Sequence, residues 1–252
     1  MPRENNFLIG QGERRTHPVT INRGGGSKEL PYDFRTAKQR LATTLGTVRT
    51  ALQALPNLAC PREETVVVLT MHPRFVSKSD FPRSLLRGAG LRAIGSKQRQ
   101  ITPEQWGIQE PPDEAITEDY FVAGTRVAFY RWADSIGSLS DPASVQAHQL
   151  STIETIASVP AEAKIKSLPD GAPVVLLEVV IHNDGRPHIV ESFVEYARAL
   201  DGRVWMDRRR DVGALTFIPV EIRRTSVIAL AQFSFLRVMR GMPALRPLWV
   251  LS

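Results

Sequence analysis

VVLLEVVIHNDGRPHIVESFVEYARALDGRVWMDRRRDVGALTFIPVEIRRTSVIALAQFSFLRVMR, residues 174–240, spells out a complete supersecondary unit. Val174 to Ile181 is an apolar run rich in β-branched residues and too short for a membrane span, which predicts a buried strand. Asn183-Asp-Gly185 punctuates it as a turn. From Ile189 the period changes: Ile189, Val190, Phe193, Val194, Ala197 and Leu200 fall on one side of a helix, and Gly202 stands where it would stop. Two strand-like runs follow, Arg203 to Arg208 and Val212 to Ile218, joined by a charged link that suits a hairpin. Thr225 or Ser226 is expected to cap a second helix through Phe233, and Phe235 to Met239 reads as a last strand. The order β-α-β-β-α-β is that of a ferredoxin-like, or split βαβ, unit.

Working outward, Pro169-Asp-Gly171 marks a boundary, and the preceding half sketches a second, less clean copy of the same unit. Phe34, Ala37, Leu41, Leu45, Val48, Leu52 and Leu55 predict a long helix ended by Pro56; the stripe suits core packing or, alternatively, a partner-binding face. Thr65 to Met71 predicts a buried strand, Phe81 to Ala89 a short helix and Leu91 to Gly95 another strand. Glu118 to Arg131 holds an apolar run. Val145 to Val159 carries helical spacing, and Lys164 to Leu168 is expected to close this half as a short strand. Residues 1–30 hold Gly24-Gly-Gly26 and little periodicity, predicting a flexible arm. The expected architecture is α+β: an arm (1–30), an N-terminal domain with a long first helix (31–168), a ferredoxin-like domain (169–240) and a tail (241–252). Both sheets are expected to be antiparallel, with helices on one face.

Composition narrows the function classes. A chain of 252 residues with 42% hydrophobic and 23% charged residues is typical of a globular protein. No apolar run approaches the roughly 20 residues of a membrane helix and no secretory h-region opens the chain, so a cytoplasmic protein with no membrane partner is expected. A single cysteine, Cys60, excludes an intramolecular disulfide and a multi-cysteine metal cluster. No cofactor motif is present: Gly10-Gln-Gly12 lacks the third glycine of a dinucleotide fingerprint, since position 15 is arginine. The five histidines have no metal-pair spacing, and His182 and His188, flanking a turn, read as solvated loop residues. Ser77, Ser79, Ser84 and Ser96 near His72 and Lys78 invite a nucleophile reading, but a polar loop accounts for them. The net charge of +6 permits nucleic-acid contact without arguing for it, and Arg208, Arg209 and Arg210 are the candidate basic contact. An RNA-recognition domain needs several aromatic residues on its central strands, and the run Gly213 to Ile218 offers only Phe217.

HPRFVSKSDFPRSLLRGAGLRAIGSK (72–97) and ALAQFSFLRVMRGMPALRP (229–247), with Gly12-Glu13-Arg14 and the glycine-rich link before Tyr32, resemble the N-terminal region of a group of bacterial subtilisin-like serine peptidases. In that group the gene often neighbours an AAA-type ATPase in plasmid-maintenance and anti-phage loci. The resemblance implies a non-catalytic, prodomain-like part that docks on the protease domain and controls or chaperones it. The subtilisin Asp, His and Ser signatures are absent, so no catalytic residue carries over and the chain alone is expected to be inactive. It would be a fragment, a truncated product or a free-standing copy. Subtilisin propeptides place the segment after the last strand along the substrate cleft. That assigns Met242, Pro243, Leu245, Arg246, Pro247 and Leu248 to a protease-docking tail, with Arg246 or Leu248 entering a pocket. The alternatives are an adaptor for the ATPase or the trigger, and an RNA-binding module.

Overall fold

The computed structural model describes residues 29–106 and 111–242. Most of the arm expected over residues 1–30 lies outside the described residues, as does the Gly10-Gln-Gly12 stretch. Asp33 starts α1 (Phe34–Gln53) by accepting a hydrogen bond from the Thr36 N–H at 3.0 Å, which satisfies one free donor of the first turn. Ala37, Leu41, Leu45, Val48 and Leu52 are all buried, so the stripe is core and not a face held out to a partner.

The first half continues through β1 (Glu64–Met71), α2 (Arg83–Gly88), β2 (Arg92–Ile101), β3 (Ala115–Thr125), α3 (Arg126–Ile136), α4 (Val145–Leu150) and β4 (Ile153–Ala157). These strands form a sheet in the order β2-β3-β1-β4, every neighbour antiparallel. Side chains alternate between its faces. Val67, Leu69 and Met71 of β1 and Val122 of β3 pack with α1 to α4. Val68, Phe121 and Ala123 point the other way and join the core of the second half. The first sheet is thus a middle layer between two hydrophobic clusters, one within the first half and one to which both halves contribute.

The second half contains β5 (Ile165–Lys166), β6 (Val174–His182), α5 (Pro187–Ala199), β7 (Arg203–Val204), β8 (Arg210–Val212), β9 (Leu215–Arg223), α6 (Val227–Ala231) and β10 (Leu236–Gly241). Its sheet runs β5-β10-β6-β9-β7, with β8 also pairing β9, and all pairs are antiparallel except the short β5–β10 pair. Val175, Leu177, Val179 and Ile181 of β6 pack with Ile218, Val220 and Ile222 of β9 against Ile189, Val190 and Phe193 of α5. Asp201 takes a positive φ of 59° after α5, and the Gly202 N–H donates to the Ala197 carbonyl at 2.8 Å. A Cβ at Gly202 would sit 2.8 Å from that same oxygen, so the close approach requires glycine.

Four local expectations change. Helix covers only Val145–Leu150 of the stretch to Val159; Ile153, Thr155 and Ile156 are β-branched and form β4 beside β1, because a short apolar run fits either period. Lys164 to Leu168 does not close the first sheet: β5 joins the second, with Met239 opposite Ile165. Thr225 and Ser226 lie in a single 3-10 turn, and α6 has no side-chain cap. The hairpin tip falls at Gly213-Ala214 between β8 and β9 and not at the arginines, since Gly213 supplies the positive φ of 59° that the turn needs.

Candidate docking surface

The face of the second sheet turned away from α5 carries Leu176, Glu178 and Val180 of β6, Phe217, Pro219 and Glu221 of β9, and Val238 and Arg240 of β10. Cross-strand register sets them in rows: Val238–Val180–Phe217–Arg210, Arg240–Glu178–Pro219 and Leu176–Glu221–Arg203. At one end the face is covered. There His182 packs on Phe121 of the first sheet at 4.5 Å between ring centroids, and Arg237 lies over the same ring at 4.8 Å. At the other end it is open: Val174 is 47% and Leu176 38% exposed. The Arg240 guanidinium donates to Glu178 at 2.7 Å on the rim.

The chain leaves this open end. The Met242 N–H donates to the Leu176 carbonyl at 2.9 Å, one residue past β10. Met242 also lines a groove of about 540 Å³ with Ser167, Leu168, Pro169, Val174 and Gly241. Of the docking tail read from the sequence, Pro243, Leu245, Arg246, Pro247 and Leu248 lie outside the described residues.

The three arginines of the candidate basic contact are exposed, and each has a local partner. Arg208 stacks over Trp205 at 4.8 Å, on a ring that Arg203 also approaches at 4.1 Å. Arg209 pairs with Asp211 at 2.9 Å, and Arg210 donates to the Arg209 carbonyl at 2.9 Å.

His182 overturns its expectation as a solvated loop residue: it is the last residue of β6, 1% exposed. Burial, with the charges of Arg237 and Lys164, pushes its pKa down to about 3, so the ring stays neutral. No signal for this stood in the sequence, because His182 falls on the same face of β6 as Leu176 and Glu178 and is buried by Phe121 of the first sheet. His72 is equally buried, and both ring nitrogens are used: Nε2 contacts the Gln105 carbonyl at 2.8 Å and Nδ1 accepts from the Arg74 N–H at 3.2 Å. Ser77 instead bonds Ser79 and Asp80, at 2.8 and 2.6 Å. No serine–histidine pair is therefore assembled in this loop. The Cys60 thiol is buried and pushed up to about 11 by desolvation, which leaves it unreactive. Among the described residues no three His, Cys, Asp or Glu side chains converge as a metal site, and no helix is long and apolar enough to cross a membrane.

Sequence reading missed the seam that holds the two halves in one orientation. Glu64 accepts from both terminal nitrogens of Arg92, at 3.0 and 2.8 Å, and from Arg186 at 3.1 Å; Asp184 closes the ring by pairing with Arg92 at 2.7 Å. Burial alone would raise the Glu64 pKa, but the Arg92 hydrogen bonds and the charges of Arg92 and Arg186 outweigh it and hold the carboxyl below its usual range. Beside it the Ser234 N–H donates to the Ala59 carbonyl at 2.9 Å. Partners this distant in sequence leave no local pattern to read. Comparison with protein-family models and with the curated proteins returned no match.

Proposed function

We propose that the chain is the non-catalytic, prodomain-like part of a subtilisin-like serine peptidase, built from two ferredoxin-like units and acting in the cytoplasm. The strand orders support the fold reading. With the short β5 and β8 set aside, β4-β1-β3-β2 and β10-β6-β9-β7 are the same permutation, fourth-first-third-second, with a helix after the first and the third strand. The observation that carries the functional reading is the open end of the second sheet. An apolar patch at Val174 and Leu176 stands free of the molecule's own core, and the chain passes out beside it at Met242. A protease domain presenting apolar helix faces would cover that patch, and residues after Met242 would then run toward its cleft as an added strand. Neighbouring AAA-type ATPase genes in the resembling group make plasmid maintenance or phage defence the setting.

Leu176→Asp tests this directly. Leu176 is 38% exposed, so the substitution spares the core while setting a carboxylate in the centre of the patch. In calorimetric titration against a subtilisin-like catalytic domain of the resembling group, the variant is expected to bind at least about tenfold more weakly than the parent chain, with an unchanged thermal midpoint. Equal affinities of parent and variant would remove the patch from the proposal.

A further inference from the structure

The stretch 72–97 builds a second surface, on the opposite half of the molecule, that the protease-docking reading does not use. β2 is the outer strand of the first sheet, and among the described residues it pairs only with β3, so its other edge is free to take a strand. Beside it lies a groove of about 470 Å³, lined by Val76, Phe81, Ala93 and Tyr120 together with the charged Lys78, Arg83 and Glu118. Phe81 and Tyr120 meet edge to face at 4.9 Å and form its aromatic wall. Ile116 lies on the same face of β3 as Tyr120 and is 63% exposed, so a second apolar position stands along the edge beyond the intervening Glu118.

The other face of that edge is basic. Lys97 and Arg99 reach toward Asp119 Oδ2 at 3.6 and 3.7 Å, two cations for one buried carboxylate, and each side chain remains 47% exposed. A strand added at β2 would turn alternate side chains to these two faces. We infer that the β2 edge binds an extended partner peptide in which aromatic or aliphatic residues alternate with acidic ones. Main-chain pairing along β2 supplies affinity; Val76, Phe81, Tyr120 and Ile116 select apolar side chains on one face, and Lys97 and Arg99 select carboxylates on the other. The bulge between Ala93 and Gly95, together with the cations, keeps the edge from pairing with a second copy of itself.

The test uses the whole chain and three dye-labelled dodecapeptides followed by fluorescence anisotropy. One alternates phenylalanine or leucine with glutamate, the second has lysine in place of glutamate, and the third is the first with alternate backbone nitrogens methylated. The glutamate peptide is expected to bind with a Kd of about 10 μM, and the lysine and N-methyl peptides at least about tenfold more weakly. Ile116→Ser, at an exposed position, is expected to weaken the glutamate peptide by about threefold or more with no shift in melting temperature, whereas Leu176→Asp leaves it unchanged. Equal binding of the three peptides, indifference to Ile116→Ser, or no anisotropy change at millimolar peptide would each overturn the proposal. Because Leu176 lies on the other sheet, failure here leaves the protease-docking reading intact, and the reverse holds.

Discussion

Phe233→Ala is expected to lower the free energy of unfolding by about 3–5 kcal/mol, the largest effect of any single substitution considered. Phe233 is fully buried after α6, edge to face with Phe193 at 5.2 Å and stacked on Tyr196 at 5.9 Å. Truncation would open a cavity where α5, α6 and the segment before β1 meet, and the next residue, Ser234, bonds Ala59 across the seam. Because Val68, Phe121 and Ala123 share this core, both halves should melt in one transition in the parent chain and the variant alike. Urea denaturation followed by tryptophan fluorescence and by far-ultraviolet circular dichroism checks this. A loss under 1 kcal/mol, or two separated transitions in the parent chain, would contradict the shared core.

Lys164→Met is expected to act in the opposite direction and stabilise the protein by up to about 3 kcal/mol at neutral pH. Lys164 is 8% exposed, and its ammonium donates to the Phe233 carbonyl at 3.1 Å. Burial of the charge pulls its pKa from 10.5 down to about 8. Methionine fills a similar volume without the charge. The Phe233 carbonyl keeps a donor, since it also accepts from the Leu236 N–H at 3.0 Å. The sign of the pH dependence follows. With the folded pKa below the unfolded one, the unfolded chain holds more protons between the two values, so Lys164 contributes rising stability as pH climbs from about 8 to 10.5. The difference in stability between variant and parent should therefore be greatest below pH 8 and shrink across that window. Chemical denaturation of both proteins at pH 7 and pH 10 measures it; a destabilised variant, or a difference that grows with pH, would refute the assignment.

Legibility of the fold in the sequence was uneven for physical reasons. In residues 174–240, β6 and α5 were announced by a long β-branched run closed by the turn Asn183-Asp-Gly185, whereas Gly213 stood inside an expected strand and the hairpin tip was expected at the arginines. Ile153 to Ala157 was misread because a strand of that length carries too few residues to separate a period of two from one of 3.6. β5 was assigned to the wrong sheet because its partner, β10, lies far along the chain. The open patch at Val174 and Leu176 was hidden for a related reason: an apolar residue on a strand reads the same whether the far face of its sheet is covered or bare. The Glu64–Arg92–Arg186–Asp184 seam depends wholly on tertiary proximity.

We propose that this scaffold has no hydrolytic chemistry of its own and controls a protease docked on its second sheet. The most direct test is the rate of casein hydrolysis by a subtilisin-like catalytic domain of the resembling group, measured with increasing amounts of the whole chain. The account predicts that the chain alone leaves casein intact and that, added to the protease, it lowers the rate saturably and competitively with substrate. An unchanged rate at 100-fold excess of the chain, or casein cleavage by the chain alone that a serine-directed inhibitor stops, would contradict it.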